Sequence, residues 1–389
     1  MPHINKKIFI STGELSGEIH ACHLVESIRK IRNFSLSAMG SERLAALGVD
    51  IVHDYRDISV TGLSEVLSHM GHIRRAFDDV KNHLRSRRPD VVILVDFPGF
   101  NMRIARFASS LGIPVVYFIP PQVWAWKKGR LRQIKEYVSK VICILPFEKE
   151  LYAGEGIPAA YVGHPFAHTV KPSLSREEFL EGIGAPSGPV LTIMPGSRRN
   201  EIRRHIPVLS KIISIVRSKR PDITIAMPVA ESVDGSEFAS LLKDIPGIIP
   251  IRGGAYNALA YCDAAIIASG SATLEAALLE TPTIIIYRIS WLSYYIARMI
   301  VSVDNIGLPN IIAGEQVFPE FIQRLKPESI ANTALSMIQK GGRDIAGKLG
   351  PIIDRLKVDD SYGLAADAVI SFLEKEKGKL TVRGVGLRG

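Results

Sequence analysis

The chain has 389 residues, 47% hydrophobic and 22% charged, which describes a folded globular protein too long for one compact core and predicts two domains. Lys and Arg outnumber Asp and Glu by 48 to 39, and the resulting +9 points to a phosphorylated ligand or an anionic surface. The basic residues are not interleaved with aromatics as in a nucleic-acid module, so nucleic acid is set aside, and three cysteines without C-x-x-C spacing exclude a disulfide framework and fit a reducing cytoplasm.

The opening residues run straight into a strand without the apolar stretch of a signal peptide. No run approaches the roughly 20 apolar residues of a spanning helix, so a soluble or peripheral protein is expected. Apolar β-type runs at 7–11, 36–39, 91–95, 115–119, 141–144 and 160–162 alternate with helical patterns such as 17–31 and 101–111. A second series at 190–194, 224–227, 248–251, 264–267 and 283–286 repeats the arrangement, which predicts an α/β protein with two doubly wound parallel sheets. The expected division is a first domain over 1–168, a Pro- and Gly-rich linker over 169–188 and a second domain over 189–350. Residues 351–389 are expected to be C-terminal helices crossing back to the first domain, with a Gly- and Arg-rich frayed tail. Open α/β sheets bind ligands beyond the carboxyl ends of their strands, so chemistry is expected where two such ends face a common cleft.

Several strand ends carry chemical residues. The first strand runs into Thr12-Gly-Glu-Leu-Ser-Gly-Glu18, where acidic residues suit a helix start whatever their further role. The strand at 91–95 ends in Asp96-Phe-Pro-Gly-Phe-Asn101; Asp96 reads either as a general base lifted by the Pro-Gly turn or as a cap for the following helix. Trp124 and Trp126 stand beside Lys127, Lys128 and Arg130, a combination that can stack on a sugar and bind phosphate or can simply cover the sheet. His164, alone before Pro165, reads as structural, and no metal site is expected there.

The two most telling junctions lie in the second half, at Ile193-Met-Pro-Gly-Ser-Arg-Arg-Asn-Glu-Ile202 and Ala268-Ser-Gly-Ser-Ala-Thr-Leu-Glu-Ala-Ala277. Each turns an apolar strand through Gly-Ser into a helix, directing backbone N–H groups and the positive helix end outward. Neither matches the Walker or dinucleotide glycine patterns. Arg198 and Arg199 suit a phosphate, and Glu275 suits ribose hydroxyls, so together the junctions read as a diphosphate cradle.

Seven blocks then carry a resemblance: Gly13-Glu-Leu-Ser-Gly-Glu18, Asp96-Phe-Pro-Gly-Phe-Asn101, Pro121-Gln-Val-Trp-Ala-Trp126, Val162-Gly-His-Pro165, Pro195-Gly-Ser-Arg198, Ser269-Gly-Ser-Ala-Thr-Leu-Glu275 and Leu308-Pro-Asn-Ile-Ile-Ala-Gly314. In order and spacing, over roughly residues 6–375, the chain resembles the lipid-A-disaccharide synthase family. The resemblance implies a GT-B type inverting glycosyltransferase with two Rossmann-like domains facing across a cleft. It implies UDP-2,3-diacylglucosamine as donor and 2,3-diacylglucosamine 1-phosphate (lipid X) as acceptor, at the cytoplasmic face of the inner membrane as a peripheral protein. A homodimer stays open.

By that resemblance Asp96 is the base, Arg198 and Asn310 serve the reacting centre, and Gly196, Ser197, Arg198, Ser269, Gly270, Ser271, Thr273 and Glu275 bind the donor. Glu14, Ser16, Asn101, Trp124 and Trp126 are the expected acceptor contacts, and without an Asp-x-Asp motif neither metal nor other cofactor is expected. The segments 58–70 and 291–301 mix apolar with small or aromatic residues and read either as acyl-chain or interfacial surfaces or as core-facing helices. Three positions depart from the family pattern: Glu18 replaces an Asp, His168 an acidic residue and Glu315 an Arg. Two other readings remain at this point: another GT-B enzyme, such as a nucleotide-sugar epimerase or a soluble-acceptor transferase, and a non-catalytic nucleotide-sugar-binding protein.

Overall fold

A computed structural model describes residues 6–58, 63–124, 129–185, 188–229, 247–290, 305–341 and 343–385, together with 242 and 245. The chain divides into two compact units, 1–165 with 358–389, and 166–357.

In the first unit the strands are β1 (Lys7–Ser11), β2 (Ser35–Gly40), β3 (Asp50–Asp54), β4 (Val91–Val95), β5 (Val115–Phe118), β6 (Lys140–Cys143) and β7 (Ala159–Tyr161). All pair in parallel in the order β3-β2-β1-β4-β5-β6-β7. The central strands are continuous apolar runs because helices cover both faces, and all five residues of β4 are buried. Helices α1 (Leu15–Ile31), α2 (Glu42–Ala46), α3 (Leu63–Arg87), α4 (Pro98–Ser110), α5 (Gly129–Tyr137) and α6 (Glu148–Gly154) make the connections. Two cores result. One joins Phe9, Val92 and Tyr117 to Val80 and Leu84 of α3 and Ile104 of α4; the other joins Ile8, Ile10 and Ile93 to Leu24 and Ile28 of α1.

The second unit begins with α7 (Phe166–Thr169) and α8 (Arg176–Gly182), followed by β8 (Val190–Met194), α9 (Arg199–Lys219), β9 (Thr224–Val229) and β10 (Ile248–Arg252). Then come α10 (Ala255–Ala260), β11 (Ala264–Ala268), α11 (Ser271–Leu278), β12 (Thr283–Tyr287), α12 (Leu308–Ala313), β13 (Glu320–Ile322), α13 (Pro327–Lys340) and α14 (Arg343–Leu356). The strands again pair in parallel, in the order β10-β9-β8-β11-β12-β13. Residues 169–188, read from sequence as a connector, carry α8. Its Ser175 and Glu178 form a reciprocal capping box, and Phe179 and Leu180 are buried in the second unit's core. The last helix, α15 (Ser361–Val385), packs on the first unit, burying Ala365, Ala366, Val369 and Leu373 against the α1 side of its sheet.

Strand order reverses direction between β1 and β4 in the first sheet and between β8 and β11 in the second. Helices after those strands pass to opposite faces and leave a crevice at the strand ends, which is where open α/β sheets bind ligands. No helix among the described residues is long and apolar enough to cross a membrane.

Candidate active site

The first crevice is built from the β1–α1 and β4–α4 turns. Asp96 and Phe97 follow β4 with φ of 48° and 49°, a left-handed pair uncommon for residues with side chains. Hydrogen bonds hold them there. The Asp96 carbonyl accepts from the Asn101 amide at 2.7 Å and from the Tyr117 hydroxyl at 2.8 Å, while the Asp96 N–H donates to Phe118 at 3.3 Å. Gly13 is required beside this turn, since a Cβ there would stand 2.0 Å from the Phe97 ring. Gly17 of α1 also lies beside the turn, where an added Cβ would make ordinary contact with the Asp96 Cβ at 3.8 Å.

Asp96 is not the cap of α4: Phe97 holds the N-cap position, with no side-chain bond and Pro98 at the first helical position. Burial pushes the Asp96 carboxyl above the usual carboxylate range, with partial relief from the Phe97 N–H. A carboxylate at a strand's C-terminal end, made more basic by its surroundings, has the properties of a proton acceptor.

Asn101 is fully buried, and its amide accepts from Ser11 Oγ at 2.7 Å and donates to the Val95 and Asp96 carbonyls. Asn101, expected as an acceptor contact, ties β1 to β4 and braces the Asp96 carbonyl. Glu14 and Ser16 lie exposed at the start of α1. Glu18 is fully buried, accepting from Ser41 N and Oγ and from the Tyr55 hydroxyl at 3.2 Å, so the Asp-to-Glu departure falls on a structural carboxylate.

Trp124 donates its indole N–H to Glu148 Oε1 at 3.2 Å and meets Phe147 edge to face. Glu148 was not singled out from sequence; burial pushes its carboxyl up to about 7. Trp126 lies outside the described residues, as do 59–62, 291–304 and the side chains of 63–70, which cover most of the two segments read as acyl-chain surfaces. His164 is buried, and burial lowers it to about 3, a neutral structural imidazole.

In the second unit the two Gly-Ser junctions leave adjacent strands. β8 and β11 pair with Met194 opposite Ile267, and a Cβ on Gly196 would lie 3.8 Å from that of Ala268. Gly196 has φ of 122° and sits over Glu201, whose carboxylate would meet any added Cβ at 2.9 Å. Ser197 and Arg198 are exposed; Arg198, at the N-cap of α9, pairs with Glu201 Oε1 at 3.2 Å while 77% of its side chain faces solvent. Ser271 opens α11 after Gly270, and Ser269 Oγ donates to the Ile306 carbonyl at 3.3 Å. Backbone donors of two helix starts and one accessible guanidinium thus share one strand edge, a combination suited to a diphosphate.

Glu275 lies one turn into α11, and burial pushes its carboxyl up to about 7. Tyr256 of α10 is close by, its phenol raised to about 12 by burial first and the Glu275 charge second. Thr273 is fully buried and returns its hydroxyl to the Gly270 carbonyl at 2.8 Å. Asn310 is also fully buried: its oxygen accepts from Val317 N and Phe318 N, and its nitrogen donates to the Phe318 carbonyl and to Glu320 Oε1 at 2.7 Å. Both side chains, expected as ligand contacts, are engaged with the protein itself. Glu320 also accepts from Ile306 N and Gly307 N, so Asn310 braces the segment that receives the Ser269 hydroxyl.

His205 was missed by the sequence reading, yet it underlies the β8–α9 turn. It is fully buried, 2.7 Å from the Pro195 carbonyl through Nδ1 and 3.1 Å from the Arg288 N–H through Nε2. The signal was present in the helical period: His205 shares the buried stripe of α9 with Ile202, Leu209 and Ile212. No cluster of three or more His, Cys, Asp or Glu among the described residues is arranged to hold a metal ion.

Two parallel α/β units, each with its chemical groups at the switch point of its sheet, define the GT-B type fold, which glycosyltransferases share with nucleotide-sugar epimerases. Solved structures share this fold. UDP-GlcNAc 2-epimerase from Neisseria meningitidis superposes with a TM-score of 0.61 at 13% identity, over 95% of this chain and 100% of that one. The calicheamicin glycosyltransferase CalG4 gives 0.58 at 14% identity, over 95% and 99%.

Sequence comparison is more specific. The Lipid-A-disaccharide synthetase family profile matches residues 8–349. Lipid-A-disaccharide synthase of Syntrophus aciditrophicus is 39% identical over 95% of this chain and 99% of its own, and that of Myxococcus xanthus is 38% identical over 94% and 97%. The chain belongs to the lipid-A-disaccharide synthetase family, the glycosyltransferases of lipid A biosynthesis.

Proposed function

We propose that this chain transfers 2,3-diacylglucosamine from UDP-2,3-diacylglucosamine to the 6-hydroxyl of 2,3-diacylglucosamine 1-phosphate (lipid X), giving the β-1,6-linked tetraacyl disaccharide 1-phosphate and UDP. The observation that carries the reading is the isolation of Asp96 on a braced left-handed turn at the first sheet's switch point, with its carboxyl made more basic by burial.

Asp96 takes the proton of the acceptor 6-hydroxyl as that oxygen attacks the anomeric carbon. The bond from that carbon to the diphosphate breaks on the opposite face, and its electron pair leaves with UDP. Charge on the departing diphosphate is met by Arg198 and by the N–H groups opening α9 and α11. Glu275 accepts from ribose hydroxyls, and Trp124 offers a ring for the acceptor sugar. Arg198 exchanges Glu201 for the diphosphate when donor binds, which keeps the guanidinium oriented beforehand. Work at the cytoplasmic face of the inner membrane, as a peripheral protein, agrees with the phosphorylated lipid acceptor and the +9 net charge.

The test is direct. Purified protein with both lipid substrates in detergent is expected to release UDP and form disaccharide, and Asp96→Asn is expected to lower turnover by about 10²- to 10⁴-fold, the usual contribution of a general base. Absence of disaccharide from the wild type, or epimerisation of a UDP-sugar instead, overturns the assignment. Undiminished turnover by Asp96→Asn removes the base alone.

A further inference from the structure

We infer that His205 is a positioning residue for the leaving diphosphate: its imidazole fixes the Pro195–Gly196 peptide so that the Gly196 N–H faces the donor. This rests on the reading of the β8–α9 turn as a diphosphate site. The Pro195 carbonyl can only accept, so His205 Nδ1, 2.7 Å away, carries the proton; the Arg288 backbone N–H can only donate, so Nε2, 3.1 Å away, holds the lone pair. Two backbone partners therefore impose one neutral tautomer. Burial acts the same way, lowering the imidazole pKa against the opposing pull of the Pro195 carbonyl and the Glu201 charge, while Arg288 and Arg204 add to the lowering.

The consequence follows from peptide planarity. In a trans peptide the carbonyl and the following N–H point in opposite directions. With the Pro195 oxygen captured on the α9 side, the Gly196 N–H is turned away from the helix interior, toward the strand edge shared with Ser269 and Gly270. Gly196 accepts the required φ of 122° over Glu201, which a side chain would not. The first unit uses the same device, where Asn101 captures the carbonyl of Asp96 after the corresponding switch-point strand. In both cases a buried polar side chain of the following helix aims the turn from behind. His205 also joins that turn to the end of β12 through Arg288, so the two move as one body.

A histidine with only a packing role would affect all ligands alike. A positioning role singles out those with phosphates. Dissociation constants for UDP and for uridine, measured on wild type, His205→Leu and His205→Asn, separate the two. His205→Leu is expected to weaken UDP roughly tenfold or more, the scale of a hydrogen bond to a charged group, with uridine changed less than about twofold. Asn carries an amide N–H at the place of Nδ1, and His205→Asn is expected to recover UDP affinity to within about threefold of wild type. Equal losses for UDP and uridine, or no recovery by His205→Asn, overturn the proposal. A wild type that binds UDP no better than uridine overturns the diphosphate reading and this proposal with it. Should His205→Leu fail to fold, imidazole nitrogen resonances of the wild type decide: a neutral ring protonated at Nδ1 throughout pH 6 to 8, about its ordinary titration range, is expected, and protonation at Nε2 overturns it.

Discussion

Asp96 is strained, half-buried and ionisable, so it is expected to trade stability for chemistry. Burial raises its carboxyl, which means the native state binds that proton more tightly than the unfolded chain and loses stability as pH climbs through and above the ordinary carboxylate range. Asparagine removes the ionisation and tolerates the left-handed φ of 48°. Asp96→Asn is therefore expected to melt above wild type at about pH 7.5, with the gap closing near pH 4. A lower melting temperature at about pH 7.5 would contradict the burial argument.

Glu148 makes a second residue-scale case. Its carboxyl is raised from 4.5 to about 7, by burial first, against the relief provided by Leu145, the Trp124 indole and Ile144. Here too stability is greatest in acid and declines as pH rises from about 4.5 toward 7. The indole N–H resonance of Trp124 is expected to titrate with a midpoint near 7, and Glu148→Gln to abolish that step. An unchanged titration in Glu148→Gln would assign it elsewhere. The motif around Trp124 was legible in sequence, but Glu148 was not. A carboxylate at a helix start looks like an ordinary capping charge until the tertiary fold buries it.

Among elements, the strands legible in sequence were those with a mainly apolar run, whether central or, like β7 and β10, at a sheet edge. β3 and β13 were not read. Both lie at sheet edges and carry only two apolar residues each, Ile51-Val52 and Phe321-Ile322, so neither shows an apolar run long enough to read. The same limit bears on Asn310 and Thr273: polar residues beside a glycine turn look like ligand contacts in sequence, while the fold buries both and bonds them to the protein. Asn310 holds α12 to the residues entering β13 through bonds at 2.7 to 2.9 Å. Asn310→Ala strands the Val317 and Phe318 N–H groups and takes one of three donors from Glu320, at about 1–3 kcal/mol for each unsatisfied group, so loss of several kcal/mol is expected in denaturant unfolding. If the residue is a brace, variant that remains folded at low temperature retains UDP affinity to within a few-fold; loss of UDP binding at full stability would restore the direct contact.

At the scale of the molecule, alternation of strand and helix made the two sheets legible, while the partner of the last helix depends on surfaces that period alone does not specify. α15 fills the first unit's α1-side core with Ala365, Ala366, Val369, Ile370 and Leu373, all buried. Lys6 Nζ donates to the Leu373 carbonyl at 2.7 Å, Lys140 Nζ to Ala368 at 2.9 Å, and Tyr362 bonds His20 at 2.9 Å. Removing residues 358–389 uncovers that core. At about 1.5–3 kcal/mol for each large buried side chain, the loss is comparable to the 5–15 kcal/mol that ordinarily holds a domain together. The second unit keeps its own core, with Val190, Ala265 and Ile267 packed beneath Phe179 and Leu180. Truncation after Lys357 is therefore expected to abolish transfer and the melting transition of the first unit while UDP still binds to within a few-fold of the full chain. Calorimetric scans with and without UDP read both outcomes together: a ligand-responsive transition that survives truncation supports independent stability of the second unit, and its disappearance would make α15 a support for the whole chain.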